Sequence, residues 1–449
     1  MIQMQLSRAA QYLQVPYTGQ DLEFRGCSTD SRTLEQGALF IALRGENFDG
    51  HDYLEQAQES GAVAALVERE PGDSSLPCLR VENTLSAMAK LAAAWRAQYD
   101  IPLIAVTGSN GKTTVKEMLA AILSENARVL ATQGNFNNEI GVPRTLFNLD
   151  EGHEMAVIEM GANHPGEIER LTHIAKPTVA LITLCAPSHL EGFGSVEGVA
   201  KAKAEIYSGL SADGTAVINA DDKYAGFWKD ITSSCRQLTF SLEGPADVSA
   251  LNTRSDASGC HFTLIVQDKE IDITMNVIGV HNVRNALAAA ACCHAIGIPL
   301  QQVRSGLARF EAVKGRLQRK QGSKGTCLID DTYNANPASL EAAMRAAIEI
   351  GGACWLILGD MGELGDIAAE AHAEAGELAD ALGIERLFTF GELSRGASDR
   401  FGHASMHFES IEQLIEAVRE QLEEGVTLLV KGSRSMGMER VVNALEEEN

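Results

Sequence analysis

One stretch restricts the fold of this chain more than any other: Ile101-Pro-Leu-Ile-Ala-Val-Thr-Gly-Ser-Asn-Gly-Lys-Thr-Thr114, continuing into Val115-Lys-Glu-Met-Leu-Ala-Ala-Ile-Leu123. The apolar run from Leu103 to Val106 reads as a buried strand. Met118, Leu119, Ile122 and Leu123 fall at helical spacing. Strand, glycine loop and helix N-terminus in that order bind phosphate. Glycines let the backbone fold around the anion, successive N–H groups point inward, and the helix adds its partial positive charge. Gly108, Ser109, Asn110 and Gly111 would cradle the phosphate chain, with Thr114 closing the loop. Lys112 would reach the outer phosphates and the Thr113 hydroxyl would bind magnesium. The first glycine of the usual pattern is missing, and the loop reads T-G-S-N-G-K-T-T. The expected ligand is ATP or GTP. No N-K-x-D guanine signature is present, so a GTPase switch is disfavoured.

The chain has 449 residues, too many for one ordinary core. We expect an α/β protein of three domains. Residues 1–83 read as a small N-terminal α/β domain, with strands near 37–43, 62–67 and 79–82 and a helix over 53–60. Residues 84–312 read as the central domain, opened by an alanine-rich helix over 84–98. Further strand candidates at 155–159, 179–183 and 215–219 alternate with helices, which implies a mainly parallel sheet. The stretches 237–242, 260–266 and 270–277 look antiparallel, and a helix is expected over 282–295. Residues 313–449 read as a C-terminal Rossmann-like, doubly wound domain. Its strands are expected at 326–329, 354–358, 386–390 and 427–430, with helices at 337–350, 367–382, 410–423 and 435–447. Ligands of such a sheet lie at the carboxyl ends of its strands.

Charge and cysteine use narrow the partners. A formal net charge of −24 argues against nonspecific nucleic-acid or anionic-membrane binding. Small anions held by local cations, amides and metals are not excluded. No run of about 18 apolar residues suggests membrane insertion, and residues 1–8 lack the pattern of an export signal. The nine cysteines form no C-x-x-C pair, and Cys185, Cys292, Cys293, Cys327 and Cys354 sit in apolar runs. That usage suggests reduced thiols in a cytoplasmic protein.

An ATP site needs a metal-binding carboxylate beside the phosphates. Glu159 follows four apolar residues and so falls at a strand end, where such an acid belongs. His189 comes just past another strand end; a lone histidine there is a second ligand or a structural residue. Lys201 and Lys203 lie in a helix whose lysines are ordinarily solvated. Arg316 and the Asp330-Asp331 pair stand at the mouth of the third domain. From these residues alone, a magnesium-dependent small-molecule kinase and an ATP-dependent ligase both stay open.

Nine segments sharpen the choice: Ser28-Thr-Asp-Ser-Arg32, Phe48-Asp-Gly-His51, Thr107-Gly-Ser-Asn-Gly-Lys-Thr-Thr114, Gly134-Asn-Phe-Asn-Asn-Glu-Ile-Gly-Val-Pro143, Glu159-Met-Gly-Ala-Asn-His-Pro-Gly-Glu167, His281-Asn-Val-Arg-Asn285, Asp331-Thr-Tyr-Asn-Ala-Asn-Pro337, Gly359-Asp-Met-Gly-Glu-Leu-Gly365 and Lys431-Gly-Ser-Arg434. In combination, and across all three domains, they resemble the Mur ligases. The Y-N-A-N-P and G-D-M-G-E-L-G segments are similar to those of the branch that adds D-alanyl-D-alanine. The D-N-P-R or D-D-P-R segment of the diaminopimelate- and lysine-adding branches is absent.

The resemblance implies a ligase of peptidoglycan precursor synthesis. ATP would phosphorylate the terminal carboxylate of UDP-N-acetylmuramoyl-tripeptide, and the amine of D-alanyl-D-alanine would attack the acyl phosphate. It implies catalytic roles for Lys112, Lys203, Glu159 and His189. Two magnesium sites are implied, with Thr113, Glu159, His189 and a carbamylated Lys203 as ligands; Lys201 is the alternative to Lys203. Asn282 and Arg316 carry over to the nucleotide, and Asp331 to its ribose side. Ser31 and Arg32 carry over to the UDP portion, and Asn135, Asn137 and Asn138 to the muramoyl-peptide. Tyr333, Asn334 and Asn336 carry over to the dipeptide or the transferring centre. A monomer whose domains close on each other is expected. The readings weighed against this are a Mur ligase adding another residue and a non-catalytic nucleotide-binding regulator.

Overall fold

The computed structural model describes residues 1–72, 74–402 and 404–447. Its N-terminal part pairs Gln3–Gln5 with Glu23–Arg25 and then builds a four-stranded parallel sheet in the order Cys27–Ser28, Leu39–Ile41, Ala64–Val67, Cys78–Arg80. The alternation of strand side chains splits this sheet between two cores. Leu39, Ile41 and Leu66 face one cluster, while Phe40, Ala65 and Val67 face another with Leu54 and Ala57 of the helix Leu54–Glu59. The first cluster continues without a break into the central unit. It joins Ile2 and Leu6 to Leu91 and Trp95 of the helix Thr84–Arg96, and runs on to Ile158 and Trp228. That helix starts where Asn83 accepts the Ser86 N–H.

The central sheet has nine strands in the order Lys269–Met275, Gly259–Val266, Val248–Asp256, Arg236–Ser241, Thr215–Asn219, Val179–Ile182, Leu103–Thr107, Met155–Glu159, Val129–Ala131. Pairings from Val129–Ala131 through Val248–Asp256 are parallel, and the last two are antiparallel. The expected antiparallel portion therefore starts later than the sequence suggested. Arg236–Ser241 is parallel to its neighbours, and Val248–Asp256 is a strand the sequence did not advertise. Leu103 and Ala105 face the first cluster, while Ile104 and Val106 face a separate one with the helices Lys112–Leu123 and Val280–Ala295. Register then sets the site: Val106 lies opposite Glu159, and Thr107 opposite Ile182. The phosphate loop thus emerges between the ends of the two neighbouring strands.

The C-terminal sheet runs Gln318–Gly322, Thr326–Asp331, Thr427–Lys431, Cys354–Gly359, Arg386–Phe390, Ser405–Phe408, parallel except at its first edge. Helices Pro337–Ile350, Ala368–Ala381, Arg395–Phe401, Ile411–Gln421 and Glu439–Leu445 cover it, so it is doubly wound as expected. Asp331 and Lys431 are register partners at adjacent strand ends. No described helix is long and apolar enough to cross a membrane.

Leu91 is fully buried in the cluster shared by the first two units. Leu91→Ala is expected to lower the unfolding free energy by about 2–5 kcal/mol, read by urea denaturation. A change near zero would mean that the helix is not part of that core.

Candidate active site

The loop after Leu103–Thr107 is shaped by two glycines. Gly108 has φ 150°, and a Cβ there would sit 1.8 Å from Thr183 Oγ1. Gly111 has φ 82°, and its Cβ would meet Asn285 Oδ1 at 2.5 Å. Polar contacts then hold the loop to the neighbouring strand. Thr183 Oγ1 donates to the Asn110 carbonyl at 2.6 Å, the Ser109 N–H donates to the Leu184 carbonyl at 2.9 Å, and Ser109 Oγ donates to the Ala186 carbonyl at 2.9 Å. Lys112 turns back to donate to the Gly108 carbonyl at 2.6 Å. Burial pushes its ammonium down from the ordinary lysine range; Arg316 adds to that shift and Glu159 opposes it.

Glu159 is buried. Its Oε1 accepts from Asn137 Nδ2 at 2.8 Å, and its Oε2 is buried without a hydrogen-bond partner. An orphaned carboxylate oxygen is costly to bury, so a cation is expected there. His189 adopts φ 51°, and its Nδ1 stands within ion-pair distance of Glu363 on the C-terminal unit. That contact holds the Glu363 carboxyl below its usual range, against the effect of burial. Glu363 is itself left-handed, at φ 61°.

The two candidate lysines separate cleanly. Lys201 is exposed and pairs with Glu197 at 2.7 Å, one turn away. Lys203 is 1% exposed, its Nζ 6.0 Å from the Phe193 ring centroid. Burial and then the charge of Lys112 push it down to about 7, against Cys185 and Glu205.

A cavity of about 490 Å³ opens in front of the loop. From the central unit, Ser109 through Thr114, Asn135, Asn137, Asn138, Glu159, His189 and Asn282 reach its wall; from the C-terminal side come Arg316, Asp331, Tyr333, Asn334 and Asn336. Most residues expected at the site are thus brought together. Gly108 and Lys203 do not reach the wall. Ser31 and Arg32 are elsewhere, in the turn after the N-terminal strand Cys27–Ser28: Ser31 Oγ donates to Gln56 at 2.9 Å, and Arg32 forks onto Asp30 at 2.8 and 2.9 Å.

Several side chains bind across the cavity. Arg316 donates to Thr113 Oγ1 at 3.0 Å, and its guanidinium lies 4.2 Å from the centroid of the Tyr333 ring. Asn110 and Asn336 exchange amide hydrogen bonds of 3.3 and 2.9 Å over 226 residues of sequence. Asn336 also caps the helix Pro337–Ile350 in a capping box, which aims that helix start at the loop. Asn282 donates to the Ile278 carbonyl at 2.8 Å and accepts from Asn285 at 3.1 Å.

Among the wall and contact residues that sequence reasoning left without a role are His281, Asn285, Glu363 and Lys431. Each stands in a segment it did single out. Buried Lys431 binds Asp331 and donates to the Asn334 carbonyl at 2.9 Å. Burial pushes the His281 imidazole down to about 4; Arg284 and Lys431 act in the same direction and Asp331 against it.

Comparison with known proteins agrees with this geometry. Family models match over most of the chain: "Mur ligase family, catalytic domain" over residues 23–96, "Mur ligase middle domain" over 106–293 and "Mur ligase, glutamate ligase domain" over 315–434. The UDP-N-acetylmuramoyl-tripeptide–D-alanyl-D-alanine ligase of Escherichia coli (strain K12) is 43% identical over 100% of this chain and 99% of its own. A crystal structure of MurF from Acinetobacter baumannii is 34% identical, covers 100% of both chains and superposes with a TM-score of 0.93. MurF ligase from Thermotoga maritima, solved in complex with ADP, is 28% identical, covers 94% of this chain and 96% of its own, and gives a TM-score of 0.85.

Two outcomes follow from the geometry. Gly108→Ala forces a methyl group into Thr183, and is expected to abolish ADP binding in a calorimetric titration while the chain stays folded; unchanged affinity would contradict the loop assignment. The His281 shift gives a sign: its folded pKa of about 4 lies below the ordinary imidazole value of about 6.5. The unfolded chain therefore takes up a proton first, and the His281 contribution to stability falls as pH drops from about 6.5 to 4. His281→Gln should flatten the stability profile in that window, measured by urea unfolding at stepped pH.

Proposed function

The chain belongs to the Mur ligase family, and from that premise we propose that it joins D-alanyl-D-alanine to UDP-N-acetylmuramoyl-tripeptide at the expense of ATP. The products are UDP-N-acetylmuramoyl-pentapeptide, ADP and phosphate, in the synthesis of peptidoglycan precursor. The observation that carries the reading is the single cavity in which Lys112 and Thr113 face Arg316 and Asn336 of the third unit. A nucleotide held on the loop there meets an acceptor brought by another domain. End-to-end identity with relatives of that one activity supports the choice of substrates.

The chemistry assigns work to each residue. A carboxylate is a poor electrophile, and its oxygen a poor leaving group; phosphorylation corrects both. The tripeptide carboxylate oxygen bonds to the γ-phosphorus as the bond to ADP breaks. The dipeptide amine then bonds to the acyl carbon and loses a proton, and the carbon–oxygen bond to phosphate breaks. Lys112 and Arg316 screen the two approaching anions. Asn282 and Asp331 serve the nucleotide, Ser31 and Arg32 the UDP portion, and Asn135, Asn137 and Asn138 the muramoyl-peptide. Asn334 and Asn336 stand on the acceptor side.

The donor set fits magnesium. No group of three or more His, Cys, Asp or Glu side chains that could hold a metal exists among the described residues. The donors we assign are mixed and fall in two sites: the Thr113 hydroxyl with the orphaned Glu159 Oε2 for the first, and His189 with Lys203 as its carbamate for the second. Lys203 rather than Lys201 is the residue we assign to carbamylation, because it is buried while Lys201 is paired with Glu197 at the surface. Magnesium, when bound, neutralises phosphate charge and polarises the phosphorus under attack. We place the enzyme in the cytoplasm as a monomer; all nine cysteines are free.

Phosphate release is expected only when tripeptide and dipeptide are both present, with a product heavier by the dipeptide residue in mass detection. Equal turnover with free L-amino acids would defeat the reading. Lys112→Ala should abolish carboxylate phosphorylation, trapped as a hydroxamate. Lys203→Ala should lower kcat by on the order of 10²- to 10³-fold, with partial return on adding short carboxylic acids; a full rate without them would remove the carbamate.

A further inference from the structure

Arg316 is the cation that bridges the phosphate loop and the third unit, and its own hold is unusual. Its Nη2 donates to Thr113 Oγ1 at 3.0 Å, while its Nε is buried without a partner and no carboxylate pairs with it among the described residues. What fixes the guanidinium is the Tyr333 ring, 4.2 Å from centroid to carbon, a stacking distance for a cation over a π face.

The backbone confirms that this stacking is built in. The Tyr333 N–H donates to the Gly315 carbonyl at 3.0 Å, and the Leu317 N–H donates to Asp331 Oδ1 at 3.1 Å. The two residues flanking Arg316 are both left-handed, Gly315 at φ 72° and Leu317 at φ 49°. A leucine in that conformation is strained and persists only where its surroundings dictate it. The chain is thus pinned on both sides of Arg316 to the segment that carries Tyr333. Lys431 in turn pins Asp331.

We propose that Tyr333 is a positioning residue for the nucleotide: its ring holds Arg316 over Thr113, so that the phosphate site is completed from the third unit. Its place next to Asn334 and Asn336 suggested contact with the incoming dipeptide; the geometry points instead to the donor half of the reaction. The inference rests on the reading that nucleotide phosphates occupy the loop at Thr113.

The test is calorimetric titration of the full-length protein with ADP, in the presence of EDTA and again with magnesium, alongside the KM for D-alanyl-D-alanine. Tyr333→Leu is expected to weaken ADP about 3- to 30-fold, and Tyr333→Phe to stay within about twofold of the parent, because the face and not the hydroxyl does the holding. Arg316→Gln should weaken ADP at least as much, and adding Tyr333→Leu to it should cost nothing further. The KM for the dipeptide should not move in Tyr333→Phe. Arg316→Lys keeps the charge but loses the planar stack, so it should weaken ADP even if the leucine variant does not fold. Normal ADP affinity with a raised dipeptide KM in Tyr333→Leu would overturn the proposal. So would a loss in Tyr333→Phe as large as in Tyr333→Leu, additive losses in the double variant, or normal ADP binding by Arg316→Lys. Failure of the parent protein to bind ADP would overturn the nucleotide reading itself, a separate result.

Discussion

Positive charges crowd together in a chain whose formal net charge is −24. Burial lowers Lys203, Lys112 and His281 alike, and neighbouring cations add to it: Lys112 beside Lys203, Arg316 beside Lys112, and Arg284 with Lys431 near His281, while Glu159 and Asp331 oppose it at Lys112 and His281. Cations gathered out of water repel one another and lose hydration, an arrangement that an anionic ligand repays. Only Glu159 and Asp331 stand among them on the cavity wall as buried acids, and Lys431 already occupies Asp331. The rest of the site follows from this imbalance. A triphosphate and a carboxylate must approach each other, and a field of this sign lowers the cost of bringing them together.

The cations come from different units, so the field depends on how those units sit. Arg316 stands at the start of the third unit, and Lys431 ends a C-terminal strand whose register places it beside Asp331. Three contacts hold the third unit to the phosphate-binding region: Arg316 with Thr113, Asn336 with Asn110, and Glu363 with His189. Each uses a group that the proposed chemistry also needs.

Local features were legible in the sequence, and long-range ones were not. The phosphate loop could be read because strand, glycines and helix are contiguous. Glu159 could be read because four apolar residues precede it. The alternation of the C-terminal domain showed its doubly wound sheet, but its edge strand Gln318–Gly322 is polar and gave no hydrophobic signal. Val248–Asp256 was missed for the same reason, since most of its residues are partly or fully exposed. Lys431 and Glu363 lay in segments that were noticed, yet their partners stand far away in sequence, Asp331 being 100 residues from Lys431. The resemblance already favoured Lys203 over Lys201 by its position before Ile206-Tyr207; that one is buried and the other paired at the surface is a difference two lysines two positions apart in a helix do not disclose.

The central claim is that the loop's acceptor is a carboxylate rather than water. It is tested most directly by isotope transfer. With the terminal carboxylate of the tripeptide labelled by oxygen-18, the bridging oxygen of the acyl phosphate leaves with phosphorus. Mass analysis of the released phosphate should find one labelled oxygen per turnover, in step with formation of the new amide. Phosphate carrying no label, its new oxygen drawn from solvent, would contradict the account.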